Sequence, residues 1–96
     1  MGIQCHVNLK DVYPKANEVR IHRIYEETGG GPNQDEPWND YVCQIAFTGE
    51  PDFLHGKILL EADGHVKGFW FDANHWGGNR WQVDVLKKNN IPFVES

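Results

Sequence analysis

Ile3, Cys5, Val7 and Leu9 alternate with Gln4, His6, Asn8 and Lys10. A period of two predicts a half-buried strand. The same period returns where Tyr41, Cys43, Ile45 and Phe47 are set against Val42, Gln44, Ala46 and Thr48, and it predicts another. Between them, Asp11 to Lys15 holds Pro14 and reads as a connection. Asn17 to Glu26 is open to two readings. Pro14 ahead and Gly29-Gly30-Gly31 behind would bracket a helix. Val19, Ile21 and His22 are poor helix formers, so a strand is the expectation.

Lys57 to Ala62 and His65 to Asp72 flank Asp63-Gly64, a strong hairpin signal. A two-residue type I′ loop would pair Ala62 with His65, Leu60 with Lys67 and Ile58 with Phe69. Paired residues share a face. Ile58, Leu60, Phe69 and Phe71 are therefore expected on the core, with Lys57, Glu61, Val66, Gly68, Trp70 and Asp72 opposite. Gly49-Glu50-Pro51-Asp52 reads as the turn before this hairpin.

Asn79 is a good helix N-cap, and Gln82 three residues on resembles a capping box. Asp84 and Lys88 form a favourable i,i+4 pair, and Asn89-Asn90 before Ile91-Pro92 suits a stop. A helix is the expectation, although Trp81, Val83 and Val85 also alternate like a strand. Ile91 to Val94 reads as a short final strand, which Pro92 restricts to an edge. The fold class that follows is α+β. It is an antiparallel sheet of about five strands with one C-terminal helix packed on one face. Residues 1–96 are expected to form a single domain with a flexible loop at 28–40.

Composition narrows function more than fold. The net charge of −5 argues against direct nucleic-acid contact, which needs clustered Lys and Arg. It favours a partner with a basic surface, or simply keeps the chain soluble. No segment approaches the length of a membrane span, and no secretory leader is visible, so a cytoplasmic location is the expectation. Two cysteines, Cys5 and Cys43, are too few for a disulfide scaffold. Both fall on apolar faces and read as buried free thiols.

Three of the four tryptophans fall between positions 70 and 81. Trp70, His75, Trp76, Arg80 and Trp81, with Trp38 from the loop, are the residue types that dominate interface hot spots. Tryptophan faces also stack on sugar rings. Core packing is the competing role, above all for Trp81. Asp35, Glu36 and Asp40, continued by Glu50 and Asp52, form an acidic surface that could occupy a basic groove. Gly77-Gly78-Asn79-Arg80 at a helix start could hold an anion, but it carries no P-loop or dinucleotide fingerprint. No His-x-x-x-His or paired-cysteine spacing predicts a metal. His6 and His22 would meet only if their strands paired. No cofactor and no catalytic residue is assigned.

A hairpin followed by a helix, with His and Asn nearby, superficially resembles the ββα-metal core of HNH nucleases. The resemblance would cover Lys57 to Asn89. It would make His65 the base, and His75 and Asn89 metal ligands. His65 sits at the hairpin turn, no Asp-His pair ends the first strand, and the chain is acidic, all of which depart from that pattern.

Three functions are in view. The first is a non-catalytic protein-binding module, in the manner of small acidic inhibitors of the immunity or anti-defence type. The second is a carbohydrate or small-molecule binder with Trp platforms. The third is a small metal-dependent enzyme of the ββα type. Homodimerisation through a free sheet edge is a further option.

Overall fold

The computed structural model describes residues 3–23, 41–74 and 79–96. Among the described residues, six strands and two helices follow in chain order: β1 (Gln4–Asn8), α1 (Leu9–Val12), β2 (Glu18–Arg23), β3 (Tyr41–Ala46), β4 (Leu54–Leu60), β5 (Val66–Asp72), α2 (Arg80–Lys88) and β6 (Val94–Glu95). The strands form one sheet in the order β2-β3-β4-β5-β1-β6. Every neighbouring pair is antiparallel. The expected mixed architecture is present with six strands rather than about five. The expected loop at 28–40 lies outside the described residues.

Alternation fixes the two faces. Cys5 and Val7 of β1, Cys43 and Ile45 of β3, Leu54 and Ile58 of β4, and Phe69 and Phe71 of β5 are all buried. Leu9 and Val12 of α1 and Val83, Val85 and Leu86 of α2 join the same core. Both helices therefore cover one side of the sheet. Burying a side chain of this size contributes roughly 1.5–3 kcal/mol. Leu9 and Val12, three apart, form a single helical turn where the alternation predicted strand followed by connection.

Register keeps the expected faces of Ile58, Phe69, Lys57 and Trp70 but pairs Val66, expected on the opposite face, with Leu60. Ile58 pairs with Phe69 and Lys57 with Trp70, but Leu60 pairs with Val66 instead of Lys67. The loop has three residues, Ala62-Asp63-Gly64, closed by Glu61 N–H to the His65 carbonyl (2.8 Å) and Gly64 N–H to the Glu61 carbonyl (3.0 Å). A type I′ turn needs positive φ at both central positions. Here Gly64 (φ +90°) has it and Asp63 does not. A register shift between Leu59 and Leu60 leaves Lys67 unpaired and restores the pairing beyond it. Gly68 then sits against β1, where a Cβ would strike the Val7 carbonyl.

Helix α2 starts and stops by different means. Its C-terminus is a Schellman arrangement, with Asn90 N–H bonded to the Lys87 carbonyl (3.1 Å) and Ile91 N–H to the Leu86 carbonyl (2.9 Å). Asn90 supplies the left-handed φ of 56°. At the N-terminus, the expected capping box does not form, because Asn79 makes no side-chain cap hydrogen bond. Gln82 is instead fully buried beneath the helix. The expected Asp84–Lys88 pair is also replaced. Lys88 Nζ donates to Glu50 Oε1 (2.8 Å) in the β3–β4 turn, a partly buried acceptor that ties the last helical turn to the sheet.

Candidate functional site

The side of the sheet away from the helices carries the candidate site. His22, Val42, Lys57, Trp70 and His6 lie on one continuous row across five strands. Val94 of β6 completes the row, opposite His6. Trp70 stands near its middle, partly exposed, between His6 and Lys57. The neighbouring rows add Arg20, Gln44 and His55 on one side and Asn8, Gly68 and Leu59 on the other. Arg20 stacks over Phe53 (5.4 Å) and donates to Glu18 Oε1 (2.7 Å). His22, Arg23 and Lys57 each make further interactions.

Beside Trp70 the sheet opens. Pairing of β4 with β5 ends at Lys57 and Trp70. Two residues on, the His55 N–H finds Gln82 Oε1 of α2 (2.6 Å) in place of a strand carbonyl. That bond fixes the orientation of the amide and leaves Gln82 Nε2 buried without a hydrogen-bond partner. A cavity of about 250 Å³ lies at this parting, lined by His55, Gly56, Lys57, Trp70, Asp72 and Asn79 among others. Asp72 Oδ1 accepts from the Asn74 N–H (3.0 Å).

The expected site residues separate. Trp81 packs partly buried against the core on the helical side, opposite Trp70. Arg80 is committed: its Nη1 donates to the Ala73 carbonyl (3.2 Å) and to Glu95 Oε1 (2.6 Å). That clamps the start of α2 to β6 and leaves Arg80 a poor anion ligand. Trp38, His75, Trp76, Asp35, Glu36 and Asp40 lie outside the described residues. Of the acidic group, Glu50 holds Lys88 while Asp52 is exposed. Asn79 was expected as a cap or part of an anion-holding turn and Asp72 on the face of Trp70, but neither was joined to His55 in one site. They become neighbours only because β4 extends back to Leu54 and parts from β5.

Among the described residues, the members of the enzymatic arrangements stand apart, and His75 lies outside them. His6 and His22 share a face, but β5, β4 and β3 lie between their strands. Four spacings of about 4.8 Å put them roughly 19 Å apart. His65 sits exposed at the hairpin tip with Nδ1 3.0 Å from Asp63 Oδ2. The His65 backbone N–H and ring hold the Asp63 carboxyl below its ordinary range. Asn89 Nδ2 donates to the Val85 carbonyl (2.9 Å), closing the end of α2. Among the described residues, no group of three or more His, Cys, Asp or Glu side chains stands ready to hold a metal ion.

Cys5 and Cys43 are buried free thiols. With β5 and β4 between them they are about 14 Å apart, too far for a disulfide. Burial pushes the Cys5 thiol up to about 11; nearby Glu95 adds to this and Arg80 opposes it. Burial alone pushes Cys43 up to about 12. Neither is a thiolate at neutral pH, so neither suits nucleophilic chemistry. Among the described residues no helix is long and apolar enough to cross a membrane. Comparison with protein-family models, curated proteins and solved structures finds no match to this chain.

Proposed function

We propose that this chain is a non-catalytic protein-binding module whose contact surface is the sheet face around Trp70, on which no described helix packs. One observation carries the reading. A partly exposed tryptophan stands in the middle of a sheet face on which neither described helix packs, flanked by His6 and Lys57. Aromatic side chains held on a rigid sheet bind at low entropic cost, because they are already ordered. Arg20 and Lys57 on this face are matched by Glu18 and Asp72, so its formal charge is balanced while the whole chain carries −5. The acidic excess lies elsewhere and would steer a basic partner to the molecule, with the balanced aromatic face making the contact.

Affinity capture from the native host tests this. Wild-type chain is compared with Trp70→Ala and with Lys87→Ala, which alters an exposed position of α2. A partner retained by wild type and Lys87→Ala, and lost with Trp70→Ala, is the expected result. Equal retention by all three would remove the open face from the interaction.

A further inference from the structure

We infer that Asp63–Gly64 is a site of spontaneous backbone modification, the conversion of Asp63 to isoaspartate, and that the folded hairpin loop restrains it. This goes beyond the protein-binding reading and does not depend on it.

Asp63 is the only Asp or Asn of the chain that a glycine follows. The neighbour matters because the reaction is an attack by its backbone nitrogen on the side-chain carboxyl carbon. A Cβ on that neighbour crowds the nitrogen, and glycine has none. The loop itself explains why glycine stands there. Gly64 has φ +90°, which an L side chain rarely adopts. Turn geometry thus selects glycine, and glycine makes Asp63 reactive. Both residues are exposed at the hairpin tip, where water reaches them.

In the first step the Gly64 nitrogen bonds to Asp63 Cγ and the carboxyl C–OH bond breaks. A water molecule leaves, carrying that hydroxyl and the amide hydrogen, and a cyclic succinimide remains. Solvent water then opens the ring. Attack at the former side-chain carbonyl restores Asp63. Attack at the backbone carbonyl gives isoaspartate, whose main chain runs through Cβ.

The loop's own contacts oppose ring closure. The Gly64 N–H donates to the Glu61 carbonyl (3.0 Å), which occupies the nucleophile. The His65 N–H donates to Asp63 Oδ1 (3.0 Å), and His65 Nδ1 lies 3.0 Å from Oδ2. These contacts favour the ionised carboxylate, whereas hydroxide leaves readily only from the neutral acid. The ring contact is exposed to solvent and adds little. The two backbone donors supply most of the restraint. Isoaspartate lengthens the main chain of the loop that Glu61 and His65 close, next to the pairing of Leu60 with Val66.

The test incubates the whole chain at mildly acidic pH and body temperature, folded in buffer and unfolded in guanidinium chloride. Incubation runs until the unfolded sample is half converted, or for several months if it does not convert. Peptide mapping with electron-transfer fragmentation reads isoaspartate at each Asp. Conversion of Asp63 is expected in both samples, about tenfold slower in the folded one, the scale of one or two hydrogen bonds. Asp84, followed by Val85, is expected to stay intact in both. Gly64→Ala, compared in the unfolded state so that its folding is not at issue, is expected to lose most of the conversion. No isoaspartate at Asp63 in either sample would overturn the proposal, and so would its appearance in the unfolded chain alone. Folded chain converting as fast as unfolded chain would remove the restraint, and equal rates for Gly64→Ala would remove the assignment to this pair.

Discussion

Gln82 joins the sheet to the helix through a single bond. Its Oε1 holds the His55 N–H at 2.6 Å, and its Nε2 is buried with no partner. Removing the acceptor loses a bond from a partly buried backbone donor, worth about 0.5–1.5 kcal/mol. Gln82→Leu also removes the unpartnered Nε2, so stability in urea denaturation is expected to fall by about 1 kcal/mol or less. An unchanged midpoint would mean that the His55 N–H reaches water or another acceptor. The two thiols give a pH signature at the same scale. Folding raises both from an ordinary 9.0, to about 11 for Cys5 and about 12 for Cys43. A group raised in the folded state contributes its stability fully below the unfolded value and loses it as pH climbs through the folded one. The urea midpoint is therefore expected to fall between pH 9 and 11, and to fall less steeply in Cys43→Ala. Equal slopes in the two proteins would contradict the assignment to this thiol.

At the scale of elements, β6 is the most dependent on others. It spans two residues, and it holds to β1 through Cys5–Glu95 and His6–Val94. Gln4 and Ser96 exchange backbone hydrogen bonds at its end (both 2.9 Å). The Arg80–Glu95 pair fastens it to α2 from the side, with both side chains about one-third exposed. Arg80→Ala is expected to cost about 1 kcal/mol, the scale of a partly screened charged bond. It should also speed amide exchange at Val94 and Ser96 more than in β3. Uniform exchange changes across the sheet would show that the clamp acts globally instead.

The same elements show what the sequence could and could not reveal. Strict alternation in β1 and β3, and the run around Phe69-Trp70-Phe71, placed the core face and put Trp70 on the other. The start of β4 was hidden because Gly56 occupies a core position on the Leu54–Ile58 row, so the apolar period looks broken there. A Cβ at Gly56 would collide with the Trp70 carbonyl and the Phe69 ring, which is why glycine stands in that row. Asp63-Gly64 signalled a hairpin correctly, but loop length and the compensating register shift depend on strand twist and leave no local mark. Gln82 matched a cap by spacing, yet a backbone donor on β4 claimed it. Such a claim is tertiary and invisible in a window of ten residues.

At the scale of the molecule, one face of the sheet is covered by α1 and α2, and the other, on which no described helix packs, carries Trp70 in a row of polar and aliphatic side chains. The sequence grouped Trp70 with Arg80 and Trp81 because they are close along the chain. The fold divides them: Arg80 and Trp81 serve the helical side, and Trp70 serves the open side. Three of the five histidines, His6, His22 and His55, also lie on the open side. They are far apart in sequence, so only strand order brings them to one surface.

The central claim is that this open face meets a partner in its native setting. Hydroxyl-radical labelling reads it directly, comparing purified chain in buffer with the same chain in native host lysate, normalised to total dose. Tyr13, 58% exposed and on α1's side of the molecule, serves as the internal reference. The expected result is that oxidation of Trp70 and His6 falls severalfold in lysate relative to Tyr13. Trp70 labelled equally in buffer and lysate would contradict the account.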